Sequence, residues 1–592
     1  MRETAVFDEA VLNEPPGFSR PSSRIGKIIT RYWGEAVVVA IALLVWVPRL
    51  SGPIDLRWDA GVYYLLGSSL AEGHGYRIPS EPGSPEALQY PPLLPAIVAI
   101  YQRALGTTDP AIVAPFLRKS YAALFVVYGL TVLALARRHL GPRFAVTATA
   151  LCLLQVMTIF LSDLLFTDLP FALISVVFVL VAGNGKRELR PWLVEAASFP
   201  LAAAGFLLRT AGLVLLAAWV LEAVIRRRWW LVAGRGALAL LPVVAWQVHV
   251  TRVRGSYEYA HPAYEYQRAP YQYYNVSYAE NLRLVDPFRP ELGELSRLAV
   301  IGRAVENVPS MVVAVGESIS TRKDYCLQIL ERVQVRLFGR LVVPEDAIFV
   351  HLLMLAILAA LVPLGLILFA CRGTWLIVLI VLGSLGLTCM TPWPAQFVRY
   401  LGGLTPFLTI CALLGLSQIR SKLLGCGTKR GTAAARTLVI GFLILTFGLQ
   451  IFSAVKLFQQ RWSEGARTLA GGLDRVRAPL FYDDPSWGAW EETAGWVRMH
   501  ARPDAIIATS APHLFYLRTG LQAVLPPMEV NPERGRRLLD GVPVSYVIID
   551  QLPFLDISPR YALPALASDP RHWRLVHWFN GTATYAHTDR AE

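Results

Sequence analysis

The feature that most limits how this chain can fold is the recurrence, through its first 455 residues, of long apolar stretches separated by short charged turns. Crossing the hydrocarbon core of a bilayer takes roughly 17 to 25 apolar residues in a helix. By that rule about eleven segments qualify. They lie near 33–50, 117–136, 143–161, 164–182, 191–208, 210–225, 229–250, 347–370, 374–391, 397–418 and 436–455. Hydrophobic residues make up 54% of the chain and charged residues 17%, a balance that belongs to a membrane protein.

Positive residues stay on the cytoplasmic side, so the placement of Lys and Arg tests whether these spans alternate. Arg137 and Arg138, Lys186 to Arg190, Arg226 to Arg228, Arg372, and the run from Arg420 to Arg436 all fall in turns on the side of the basic N-terminus. The expected plan is therefore a cytoplasmic tail at 1–32, a multi-spanning module at 33–455 with outer loops 51–116 and 251–346, and a soluble region at 456–592 on the extracytoplasmic face. No removable signal peptide is expected, and an inner (plasma) membrane is the expected location. Residues 91–105 are apolar but short and opened by proline; counting them as a span breaks the alternation, so they read as an interfacial or re-entrant helix.

The net charge of +13 raises the question of nucleic acid. From Lys456 onward, however, 15 Lys and Arg balance 15 Asp and Glu, so the whole excess sits in the membrane part. Bases flanking spans are explained by orientation, and nucleic acid is set aside. Six scattered cysteines without a CxxC pair argue against a disulfide framework or a cysteine zinc site. The last 137 residues alternate helix-like WEETAGWVRMH with strand-like DAIIATS, VSYVIID and WRLVHWFNGTATYAH, which predicts a small α/β domain.

The outer ends of the spans carry the candidate chemistry. Asp59 and Tyr63 lie one helical turn apart just beyond the first span, where an acid can face a cavity at the membrane surface. A helix N-cap or a solvated loop carboxylate is the plain alternative. Asp168, in LSDLLFTDLPF, is costly to bury without a partner, whereas Asp163 reads as a polar turn exposed to water. Arg209 and Arg399 are lone outward arginines, suited to phosphate oxygens or, alternatively, to anchoring at the interface. The loop from 251 opens with tyrosines among Pro, Glu, Arg and His, and offers His261 and Arg268 to a phosphate from a lid; a tyrosine belt at the interface is the other reading. The adjacent acids Asp483 and Asp484 read as solvated, and Asn275 and Asn580 match the glycosylation triplet.

In their order and sidedness these segments resemble the GT-C glycosyltransferases, of the dolichyl-phosphate-mannose-protein mannosyltransferase and lipid A aminoarabinose transferase kind. The resemblance is carried by Asp59, Tyr63, SSLAEGHGY and YPPLLP in the first outer loop, then by FTDLPFALI, RTAGLVLL and VRYLGGLTPFL. It implies a bundle of about eleven transmembrane helices. It also implies transfer of a sugar, with inversion, from a polyprenyl-phosphate donor to a hydroxyl on a glycan, lipid or protein acceptor. Asp59 is then the general base, and Asp168 helps bind acceptor or donor. Tyr90 departs from the pattern, since the aminoarabinose branch has a lysine there that holds the donor phosphate. The phosphate role accordingly shifts to Arg209 and Arg399, beside Tyr63, Tyr90 and Tyr400. A divalent cation stays open, because the family is mixed in its metal use and Asp59, Glu72, His74 and Asp168 lack a diagnostic spacing. Rival readings are a transporter or flippase, which predicts internal repeats and ionisable groups at the bilayer midplane, and an oligosaccharide polymerase or ligase.

Overall fold

A computed structural model describes residues 24–183, 190–325, 327–328, 344–425, 428–470, 485–552 and 555–591. Lys186, Arg187, Asp483 and Asp484 lie outside the described residues. The chain is a multi-pass integral membrane protein, mostly helical, with a small mixed sheet near its C-terminus. Among the described residues, seven helices are long and apolar enough to cross a membrane, and nine qualify when two bent pairs are each counted as one span.

The expectation of eleven full-length spans is corrected in two ways. The windows at 164–182, 210–225 and 374–391 form the shorter apolar helices Asp168–Ala182, Thr210–Ile225 and Trp375–Cys389. Conversely, the stretch read as outer loop 251–346 holds a bent apolar pair, Leu298–Glu306 and Val308–Ile319, joined at 50°. Arg303, Glu306 and Asn307 interrupt its hydropathy, which is why no window marks it. Residues 91–105 do form a single short helix, Leu93–Leu105.

Small residues let the backbones approach closely. A Cβ at Gly365 would run into the Cys411 carbonyl, and one at Gly316 into that of Leu355. The other bent pair, Pro142–Leu154 and Val156–Asp163, turns by 53° at Gln155. Gln155 is extended, and its side chain caps the second helix by accepting from the Thr158 N–H at 2.8 Å. The break swings Asp163 beneath the first outer loop, where Asp55 pairs with Leu164 in an isolated parallel bridge. That bridge ties the start of helix Asp59–Ala71 to the start of helix Asp168–Ala182.

The C-terminal domain contains β1 (Ile506–Ala508), β2 (Ala523–Val524), β3 (Val544–Ile549), β4 (Trp573–Phe579) and β5 (Thr582–His587), in the order β2-β1-β3-β5-β4. β1 runs parallel to β2 and β3, while β5 is antiparallel to β3 and β4. Every residue of β3 is buried, as expected of a central strand covered on both faces. One hydrophobic cluster runs without a break from Val38 in the first span to Trp490, Phe515 and Ile548 in this domain. The domain is seated on the bundle.

Candidate active site

Where bundle, outer loops and C-terminal domain meet, they enclose a cavity of about 940 Å³. Asp59, Tyr63, Tyr90, Asp168, Arg209, Arg399 and Tyr400 all line it. Residues as far apart in sequence as Asp59 and Arg399 thus converge on one space.

Their pairing is specific. Arg399 Nη2 donates to Asp59 Oδ2 at 2.5 Å, and Arg209 Nη1 donates to Asp168 Oδ1 at 2.6 Å. Neither pair is sealed from the cavity: Asp59 and Arg399 keep 21% and 22% of their side-chain surface, and Arg209 keeps 19%. The Arg399 guanidinium lies over the Phe166 ring at 4.3 Å, its Nη1 reaches Gln396, and its buried Nε has no partner among the described residues. Arg209 lies over the ring of Tyr400 at 5.4 Å.

Helix starts place the two acids. Asp59 and Asp168 each open a helix, where the positive end of the helix dipole favours a carboxylate. Trp58, immediately before Asp59, sits at φ 56°, a left-handed conformation that is costly for a bulky residue. It is held there by edge contacts with Phe160 at 6.0 Å and Trp487 at 5.7 Å, one from the bundle and one from the C-terminal domain.

Tyrosines complete the walls. Tyr63 and Tyr90 meet at 4.8 Å between ring centres, and Tyr90 meets Tyr274 at 6.1 Å. Tyr274 lines the same cavity as Asp59. Burial pushes the Tyr90 and Tyr274 phenols well above their usual range, which keeps both as hydrogen-bond donors at neutral pH. Tyr278 and Trp393 add further rings at 6.2 Å from each other. Sequence reasoning saw the tyrosine-rich loop but did not single out Tyr274, Tyr278 or Trp393. One signal was present: Ser277 and Glu280 form a capping box that starts helix Tyr278–Arg283 and so aims Tyr278.

Two residues expected here lie elsewhere. His261 is exposed and stacks on Tyr257 at 4.0 Å, and Arg268 lies over the Tyr259 ring at 4.5 Å while donating to the Asn275 carbonyl. Neither lines the cavity; Arg268 orders its own loop. Asp163, expected to face water, is instead buried at 1% exposure against Arg118 at 2.6 Å and Arg49 at 3.5 Å. Asn275 is buried and donates to Glu81 at 2.6 Å, so it offers no accessible glycosylation site.

Among the described residues, no three His, Cys, Asp or Glu side chains gather to hold a metal ion. Glu72 and His74 face each other at 3.4 Å outside the cavity lining, and Asp59 and Asp168 are each engaged by an arginine. This donor set does not fit a divalent cation.

No family model and no curated protein matches the sequence. Solved structures do match. The oligosaccharyltransferase of Archaeoglobus fulgidus, solved with Zn and sulfate, aligns over 94% of this chain and 73% of its own, at 12% identity and a TM-score of 0.51. The chain shares the fold of that archaeal enzyme. Two further similarities are weaker: AglB from the same organism with an inhibitory peptide and a dolichol-phosphate (13% identity, 95% and 75% covered, TM-score 0.49), and apo ArnT of Cupriavidus metallidurans (13% identity, 94% and 98% covered, TM-score 0.48).

Proposed function

We propose that this chain is a membrane glycosyltransferase that moves a sugar from a polyprenyl-phosphate donor to an acceptor hydroxyl, with inversion at the anomeric carbon. The observation that carries the reading is the facing of two carboxylates and two guanidiniums in one cavity that is also lined by apolar helix ends such as Phe171, Leu208, Leu213 and Leu387. A polyprenyl chain suits such walls, and arginine forks suit a phosphate.

In this mechanism the acceptor hydroxyl gives its proton to Asp59 as its oxygen attacks the anomeric carbon. The bond from that carbon to the phosphate oxygen breaks, and the electron pair leaves with the phosphate. Arg399 and Arg209 stabilise the charge that develops there. Because Arg399 is bound to Asp59, an arriving phosphate exchanges partners: it takes the guanidinium and releases the carboxylate for the acceptor. Asp168 keeps Arg209 oriented during this exchange. On this reading the cavity and C-terminal domain face the extracytoplasmic side of an inner membrane.

The test is transfer of labelled sugar from a panel of polyprenyl monophosphate donors by the full chain in nanodiscs, comparing wild type, Asp59→Asn and Arg399→Ala. Turnover that drops roughly 10²- to 10⁴-fold in Asp59→Asn, with donor still bound, supports the base assignment. If no donor is used and the wild type instead moves a lipid or an ion across sealed vesicles, the transporter reading replaces this one.

A further inference from the structure

One wall of the cavity has no part in the chemistry above. It is made of Tyr278, Trp393 and Tyr400, each half-buried. The rings form a series: Tyr278 lies 6.2 Å from Trp393, Trp393 lies 6.5 Å from Tyr400, and the Tyr400 ring carries the Arg209 guanidinium at 5.4 Å. The phenol groups of Tyr278 and Tyr400 make no hydrogen bond among the described residues.

This wall is stiff. Trp393 lies between Pro392 and Pro394, whose rings fix φ, and the Gln396 N–H closes a turn on the Trp393 carbonyl at 3.0 Å. The bent helix pair clamps the residues just before it: Asn307, 7% exposed, donates from Nδ2 to the carbonyls of Cys389 at 2.8 Å and Thr391 at 3.1 Å. Arg303 Nη1 donates to the carbonyls of Met390 at 3.5 Å and Leu282 at 3.0 Å, and its Nη2 to that of Leu284 at 2.7 Å. Leu282 and Leu284 lie at the end of helix Tyr278–Arg283, so one arginine ties the two halves of the aromatic wall together. Arg303 and Asn307, which interrupt the hydropathy of their helices, thereby fix the place of Trp393.

A stiff aromatic surface with spare phenols, beside a guanidinium, suits a ring that has an apolar face and a polar edge. A pyranose has both: its C–H hydrogens meet the negative face of an aromatic ring, and its hydroxyls exchange hydrogen bonds with phenols. An isoprenoid chain makes no use of the phenols, and apolar helix ends serve it elsewhere, at Phe171, Leu208, Leu213 and Leu387. We propose that Trp393, flanked by Tyr278 and Tyr400, is the stacking platform for the pyranose ring of the donor, the part of the lipid that is transferred. The assignment rests on the reading of Arg209 and Arg399 as ligands of the donor phosphate. Donor affinity then divides by region: the arginines hold the phosphate that substrate and spent carrier share, and the aromatic wall holds the sugar that only the substrate carries. A platform fixed before binding loses little side-chain entropy when the sugar arrives. Transfer removes that contact, so the spent carrier is held less tightly than the donor.

The experiment measures equilibrium binding to the full chain in nanodiscs, by thermophoresis, for wild type, Trp393→Leu and Tyr278→Phe. The probes are undecaprenyl phosphate and its glucosyl, galactosyl and mannosyl phosphodiesters. Wild type is expected to bind at least one sugar-bearing lipid more tightly than the bare one. In Trp393→Leu that lipid is expected to lose affinity roughly fivefold, the size of one aromatic contact, while the bare lipid holds within about twofold. Tyr278→Phe keeps the ring and removes only the phenol, and is expected to cost the same lipid roughly threefold, again sparing the bare one. Equal losses for bare and sugar-bearing lipids put the rings against the isoprenoid or the fold and overturn the proposal. So do affinities that do not change, or a rise in acceptor KM with donor affinity intact. If Trp393→Leu fails to fold, Tyr278→Phe carries the test alone. Wild type that binds none of the four lipids removes the functional reading and the platform with it. Wild type that binds the bare lipid as tightly as every sugar-bearing one leaves that reading standing and overturns the platform alone.

Discussion

Two acid–arginine systems lie close together at the junction of the bundle and its outer loops, and they differ in one respect. Around Asp163, Arg118 and Arg49 are closed off entirely, with 0% exposure for both arginines. Their remaining donors are satisfied by backbone: Arg118 donates to the carbonyls of Arg49 and Pro53, and Arg49 to those of Val45 and Ile159. Around Asp59 and Asp168 the same residue types face a cavity, and Arg399 Nε is left without a partner among the described residues. A sealed, saturated pair can only hold elements together, whereas an open pair with a spare donor can change partners.

Breaking the sealed system should have the largest effect. Asp163→Ala leaves two buried guanidiniums without a counter-charge, a loss of about 3 to 5 kcal/mol. The expected result is little or no folded protein, measured as monodisperse yield and thermal midpoint. Asp59→Asn tests the other side of the comparison, since it should remove transfer while shifting the midpoint by only a few degrees, about 1 kcal/mol or less for a partly exposed pair. A midpoint that collapses in Asp59→Asn as it does in Asp163→Ala erases the distinction. Arg209→Gln should weaken donor affinity by about tenfold through loss of one charged hydrogen bond, read as a rise in donor KM.

The smallest effect is expected away from both systems, at Asp550. Burial raises its pKa to about 6. The unfolded chain ionises near the ordinary aspartate value, so the folded state binds more protons between the two and loses stability as pH rises toward 6. Asp550→Asn removes that cost. Its thermal midpoint should exceed wild type by a few degrees at pH 7.5, and the gain should shrink as pH is lowered toward 4.

Much of this architecture was legible in sequence because a bilayer imposes a one-dimensional rule. Length and hydropathy are enough to mark Pro110–His139 or Trp229–Arg254 as spans. The same rule misjudged Asp168–Ala182 and Trp375–Cys389, where apolar turns beyond the helix ends filled out the window. It also passed over Val308–Ile319, a short helix whose neighbour carries Arg303 and Glu306. Seven of the nine expected site residues line one cavity, because ionisable side chains beside apolar helices are costly to bury without partners and so gather where they find them. Their pairing was not legible. Asp59 and Arg399 are 340 positions apart, and Asp163 looked water-exposed because Arg49 and Arg118 lie 114 and 45 positions away. The bond between Ser80 and His513 was out of reach for the same reason, as 433 positions separate them.

The Asp59–Arg399 contact also bears on how a catalytic cycle ends. A leaving polyprenyl phosphate is an anion held by arginine, and a site built only of cations would retain it. Here Asp59 stands at 2.5 Å as an internal competitor for the same guanidinium. In the mechanism proposed above, Asp59 regains its charge once it passes the acceptor proton to water, and return of the carboxylate to its arginine then displaces the spent lipid, so the pair that delays entry also clears the exit.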